Sequence, residues 1–271
     1  MKTVLTALAA AALMLGTAAQ AADVKVTLTQ LAPAGGVGIA PLWVGFHNGS
    51  FDTFDAGYAA SLGVERAAED GSAAQLSSIF AVTASGGIQG TLPGPPAFPG
   101  AVRSLTLTGL DLAGVNRYFS YAAMVVVSND FFIGNDNATQ FDLSSLAHGG
   151  KVSLLVGGAG HVWDAGTEVN DFHYSLANGA FGIGGGQTGP NQGTDEHGVV
   201  HLVTGNPYTS FASQNLVPAG YQWGALDFSN QGAFARVDIE VLAAPVPEPS
   251  SAALLLAGLG FAGFVASRRS R

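Results

Sequence analysis

Residues 235–241 read ARVDIEV: Ala235, Val237, Ile239 and Val241 alternate with Arg236, Asp238 and Glu240. Alternation with period two puts one side of an extended strand in a core and the other in water. The same pattern recurs earlier in the chain. Val24, Val26 and Leu28 alternate with Lys25, Thr27 and Thr29, and Leu105 and Leu107 alternate with Thr106 and Thr108. Two further runs, YAAMVVV (Tyr121–Val127) and VSLLVG (Val152–Gly157), are apolar on both faces, which predicts central strands. Between the runs lie Gly, Pro, Asn and Asp clusters such as LPGPPAFPG. SLGVERAAEDG predicts one or two helical turns, with Ser61 capping the start and Gly71 ending them after Asp70. Together these signals predict an all-β fold: one antiparallel β-sandwich with long loops and one or two short helices.

The two ends read differently from this body. Lys2, an uncharged apolar stretch from Val4 to Ala19, and the small-x-small triplet Ala19-Gln20-Ala21 predict a secretory signal peptide over residues 1–21. At the other end, VPEP (Val246–Pro249) leads into an apolar run, Ala252 to Ala266, followed by Arg268, Arg269 and Arg271. Fifteen helical residues reach roughly 22 Å, short of a hydrocarbon core of roughly 30 Å. The Arg cluster places this end in the cytoplasm by the positive-inside rule. The order of Pro-Glu-Pro, apolar helix and Arg cluster over residues 246–271 resembles a PEP-CTERM sorting signal. That resemblance implies a Gram-negative bacterium, transient membrane anchoring through the hydrophobic C-terminal helix, and recognition by an exosortase after signal peptidase has acted. It also implies delivery to the cell surface or an exopolysaccharide matrix.

The body between, residues 22–245, is expected to be one domain. It holds six basic residues against eighteen acids, a net charge of −12. A chain so acidic cannot neutralise a phosphate backbone, so nucleic acid is excluded as a partner. Cysteine is absent. Stability must therefore come from apolar packing, for which more than 220 residues suffice.

Three stretches in this body belong together: HNGSFDTFDAGYAASLGVERAAEDGS (His47–Ser72), YFSYAAMVVVSNDFFIGNDN (Tyr118–Asn137) and WDAGTE (Trp163–Glu168). Their order and spacing, with the closing GAFARVDIEVL, resemble the spondin N-terminal domain of F-spondin and mindin. The resemblance implies an eight-stranded, C2-like antiparallel sandwich and a calcium site on loops at one end, in an extracellular adhesive setting. It places the metal ligands on positions corresponding to Asp130, Asp164 and Glu168. The last is an Asp in the family's pattern, and Glu is one methylene longer.

The residues support a cation on their own terms. Only 11% of the chain is charged, yet HVWDAGTEVND (161–171) crowds Asp164, Glu168, Asn170 and Asp171 into one bend. Calcium takes about 6–8 oxygen ligands, more than one loop readily supplies. Asp130 follows one apolar strand and Asp164 lies beyond another, so two loops at one rim would bring them together. Gly166 permits the tight bend between Asp164 and Glu168. The competing reading is that these acids cap turns. Trp163 reads as a core aromatic beneath the loop.

Signals for catalysis are sparse. His197 and His201 stand four apart, but Gly198-Val199-Val200 reads as strand, and neither HExxH nor G-x-S-x-G occurs. A Ser-His-Asp triad could assemble only from distant residues. His161, three before Asp164, reads as a loop His or as a neighbour of a metal ligand. Asp52 and Asp55 have a spacing possible for paired glycosidase acids. GIGGGQTGPNQG lacks the Lys of a P-loop and reads as a plain loop. Two function classes follow: a non-enzymatic, calcium-binding adhesion or binding module whose partner is an extracellular polysaccharide or surface protein, or a secreted hydrolase of extracellular polysaccharide.

Overall fold

The computed structural model describes residues 21–170, 190–209, 221–227 and 232–243, with six positions in the C-terminal run (258, 259, 262, 263, 267 and 268). The expected signal peptide, most of the expected sorting helix and most of the Gly-rich loop lie outside the described residues.

The body is an antiparallel β-sandwich, as the alternation predicts. One sheet has the order β5 (Val102–Leu110), β1 (Ala22–Gln30), β12 (Ala235–Val241), β9 (Lys151–Val156). The second runs β11 (His201–Leu202), β10 (Trp163–Asp164), β7 (Phe131–Gly134), β6 (Tyr118–Val126), β3 (Trp43–His47), β4 (Ile88–Thr91). Two further strands, β2 (Gly38–Ile39) and β8 (Phe141–Asp142), also pair with β6. Of these twelve strands, eight are four residues or longer; the other four are two-residue pairings.

The alternating strands become one wall of the main core. Val26 sits opposite Ile239 and Leu28 opposite Val237 across the β1–β12 pair. Their side chains meet Phe46, Phe119, Tyr121, Val125, Phe131 and Ile133 from the second sheet. The second sheet is buried on its other face too. There Trp43 and Ala122 pack with Phe51 and with Leu76 and Phe80 of α2 (Ala74–Thr83). Phe132 and Ala165 pack with Phe54 and with Val64 and Ala68 of α1 (Leu62–Glu69). A strand covered on both faces must be apolar throughout, so the run at Tyr121–Val127 is indeed central, in β6.

The matching expectation for Val152–Gly157 is corrected. Within its sheet β9 pairs with β12 alone, so it is an edge strand, and Leu155 is 65% exposed. An apolar run specifies a strand but not its neighbours, and here one face of the sheet lies open.

Helix α1 forms where expected. The Ser61 side chain accepts a hydrogen bond from the Val64 N–H, satisfying one free donor of the first turn. At the other end Gly71 adopts φ +63°, the left-handed turn that glycine makes at least cost. A second helix, α2, and a short third, α3 (Trp223–Leu226), complete the described elements.

Gly45 shows how closely the second face is packed. A Cβ there would stand 2.7 Å from both the Phe80 and the Trp43 ring. Those rings also touch each other edge-on at 5.4 Å. Gly45→Ala is therefore expected to cost about 1–3 kcal/mol by overpacking. Urea unfolding would show this as a lower midpoint at unchanged slope.

Candidate metal centre

Asp130 lies in the turn between β6 and β7, and Asp164 in β10. Strand β10 pairs antiparallel with β7, placing Asp164 directly opposite Phe131, the neighbour of Asp130. The two carboxylates therefore meet through a strand pairing inside one sheet. They do not meet as the sequence suggested, through a loop leaving Val152–Gly157, since β9 belongs to the other sheet. Both are buried, Asp130 completely and Asp164 with 4% exposure. One oxygen each from Asp130, Asp164 and Glu196 lie within 4.8 Å of one another. Two oxygens on a single calcium at ~2.3–2.6 Å stand at most about 5 Å apart, so the spacing suits a shared ion.

The two oxygens of Asp130 have different surroundings. Oδ2 accepts hydrogen bonds from the backbone N–H groups of Thr167 (2.8 Å) and Glu168 (3.1 Å) and from the Thr167 hydroxyl (3.3 Å). Oδ1 is buried without a hydrogen-bond partner. An unsatisfied buried acceptor costs about 1–3 kcal/mol, and more if charged. Asn170 Oδ1 is similarly buried and unpartnered, while Asn170 Nδ2 donates to Asp164 Oδ2 at 2.6 Å.

Gly166 closes the bend as expected. Its φ is +67°, and its N–H donates to Asp164 Oδ1 at 2.7 Å. A Cβ there would stand 2.6 Å from the Val199 backbone nitrogen, so no larger residue fits. The bend sets Glu168 beside Asp130 rather than beside Asp164. The Glu168 backbone binds Asp130, and its buried carboxylate accepts from Asn129 Nδ2 at 3.0 Å. Glu196, which the sequence reading passed over, takes the third position in the cluster. It is held there because residues 194–198 run alongside 166–169: Glu196 N–H donates to Thr167 O at 2.9 Å, and Gly198 N–H to Gly166 O at 2.7 Å. The only sequence cue was the pair Asp195-Glu196 between glycines. The register that delivers it spans about thirty residues.

The basic neighbour is His201, and His161 is a loop His, the first of the two readings its position allowed. His161 is exposed and bonds the Ala159 carbonyl. His201, the cross-strand partner of Asp164, brings Nε2 within 3.8 Å of Asp164 Oδ2. Trp163 is half-buried, edge-on to Phe54 at 4.9 Å. Arg66, the cation of α1, is engaged by Glu65, Glu69 and Asp70. Burial, and then the charge of Asp164, push the Asp130 carboxyl up to about 7. Burial likewise raises Asp164, against the pull of the Gly166 N–H, His201 and Asn170. Two carboxylates are thus held where ionising both is costly without added positive charge.

The features considered for catalysis fare differently. His47 Nε2 meets Ser120 Oγ at 3.0 Å, but both residues are fully buried. The Gly49 N–H donates to His47 Nδ1, so Nε2 carries the proton and points it at Ser120. That tautomer cannot take a proton from the hydroxyl, and burial lowers the imidazole to about 4. The pair is a packing element. Asp52 and Asp55 are both exposed on the loop before α1.

Comparison with known families reaches one part of the chain. Residues 245–270 match the PEP-CTERM protein-sorting motif. The PEP-CTERM match coincides with the tail expected at 246–271. Such motifs are generally recognised by exosortase and direct export and cell-surface sorting in bacteria. Among the described residues no helix is long and apolar enough to cross a membrane; the apolar run of the motif lies largely outside them. A comparison with curated proteins gives no match. The spondin resemblance gains no support from either comparison and rests on the stretches quoted above.

The raised Asp130 carboxyl gives a pH signature. Between the unfolded value near 3.8 and the folded value near 7, the folded state binds more protons than the unfolded one. This residue's contribution to stability is then fully present below about 4 and lost as pH rises through 7. With divalent ions chelated, the melting temperature of Asp130→Asn relative to the parent protein should climb between pH 4 and pH 8. A pH-independent difference would mean that Asp130 ionises freely.

Proposed function

We propose that the chain is an exported, surface-sorted, non-enzymatic binding module whose β-sandwich holds a divalent cation, calcium, on Asp130, Asp164 and Glu196, with Glu168 buttressing Asp130. Export and surface sorting follow from the PEP-CTERM motif. Within that setting the proposal extends to a Gram-negative host, passage through signal peptidase and exosortase, transient anchoring by the C-terminal helix, and residence on the cell surface or in its matrix. The partner would be an extracellular polysaccharide or a surface protein, and the module would be of the spondin type.

One observation carries the cation reading: two buried carboxylates meet while Asp130 Oδ1 lacks any hydrogen-bond partner. Turn capping explains Asp130 Oδ2 and Asp164 Oδ1, each of which takes backbone N–H groups. It does not explain a buried oxygen left without a donor in a carboxylate that meets a second acid. Carboxylate, carboxamide and carbonyl oxygens are the donors that hard cations take, and calcium tolerates irregular geometry better than magnesium. The hydrolase reading lacks a comparable observation. The buried Ser120–His47 pair has the wrong tautomer, and Asp52 and Asp55 are solvated.

Calcium that binds only the folded state must stabilise it by mass action. At a hundredfold excess over Kd the gain is about 2.7 kcal/mol, which in a domain of this size raises Tm by about 5–10 °C. The purified full chain, first stripped with chelator, should show that rise. The double variant Asp130→Asn/Asp164→Asn should melt at one temperature with or without calcium. An unmoved parent, or an equal shift in the double variant, refutes the site.

A further inference from the structure

A pocket of about 280 Å³ opens next to the acidic cluster. Ala59 and Glu65 line it from one side, Thr167 from the cation loop, and Asn191, Asp195 and His197 from the segment facing them. Backbone hydrogen bonds fix these walls to one another. Gly198 and Glu196 bond residues 166 and 167, and Val200 N–H donates to the Tyr58 carbonyl at 2.8 Å. Tyr58, outside the lining but adjoining Ala59 in the chain, is 71% exposed.

The lining specifies a ligand chemistry. The volume lies just below the range of roughly 300–1,000 Å³ for small-molecule sites, enough for one sugar ring rather than a long chain. Carboxylates, a carboxamide and an imidazole supply acceptors and donors suited to several hydroxyl groups. An exposed phenol ring offers an apolar platform for the C–H face of a pyranose. Anions are disfavoured by Asp195, Glu196 and the paired carboxylates behind them. Amines are less suited than hydroxyls, because Glu65 is already ion-paired with Arg66.

We propose that this pocket binds one residue of a neutral saccharide, stacked on Tyr58 and hydrogen-bonded by Asn191 and Asp195, and that cation binding strengthens it. The second part rests on the cation reading above. Glu196 belongs to the acidic cluster, while its neighbours Asp195 and His197 line the pocket. An ion drawing Glu196 inward therefore fixes the pocket wall, and linkage makes the coupling reciprocal.

The test is a glycan array carrying neutral oligosaccharides, chitosan oligomers and uronic-acid oligomers, probed with the full chain in calcium and in chelator. Neutral glycans should bind in calcium and bind more weakly in chelator. Tyr58→Ala and Asp195→Ala should each lose affinity by about tenfold, the scale of one lost stacking or hydrogen-bond partner. Both should melt with the parent protein, since the parent side chains are exposed. Failure of every neutral glycan, binding confined to chitosan or uronic-acid oligomers, or full binding by both variants overturns the proposal. A calcium-induced rise in Tm without glycan binding sinks the saccharide inference alone. Glycan binding that is lost in the two variants yet indifferent to calcium keeps the pocket and removes the coupling.

Discussion

The eight-stranded sheet is buried on both faces, and the rest of the molecule is arranged around that fact. One face needs the four-stranded sheet, which supplies Val26, Leu28, Val237 and Ile239. The other needs a cover of its own, which Phe51, Phe54, α1 and α2 provide. Antiparallel sheets usually leave one face wet, so covering the second face commits the chain to the long insertion between β3 and β4. That insertion brings Glu65, Arg66 and Glu69 of α1 to the same edge of the sheet as the bend at 164–168. Strand pairing assembles the acidic cluster, and α1 adds Glu65 to the wall of the pocket beside it.

Placing two carboxylates in that region has an electrostatic consequence. The backbone N–H groups of residues 166–168 and the amide of Asn170 satisfy three of the four oxygens. They leave Asp130 Oδ1 without a donor. A neutral amide at Asp130 would relieve the repulsion with Asp164, and an ion would do so while retaining both charges. The sorting motif directs the chain to the cell surface, and the chain contains no cysteine for disulfides.

The sandwich itself was legible in the residues. Alternation at 24–29 and 235–241 marks strands with one wet face, and they pair in register as β1 and β12. The doubly apolar run at 121–127 is the central strand, and Ser61 and Gly71 bound α1 where propensity says they should. The run at 152–157 misled, because Leu155 is apolar and yet exposed at an edge. Asp130 and Asp164 were identified by residue type and by the tight bend at Gly166. Glu196 and His201 were not, since each reaches the cluster only through pairing across the sheet.

Local chemistry thus set the strand periods, the helix caps, the acidic balance and the sorting tail, because each depends on residues within a few positions of one another. Tertiary structure alone decided which oxygens meet. Glu168 stands nearer Asp164 in sequence than Glu196 does, but strand register places Glu196 in the cluster and turns Glu168 toward Asn129. Contacts of that kind follow from hydrogen-bond pairing between distant segments, and a linear reading holds no record of the pairing.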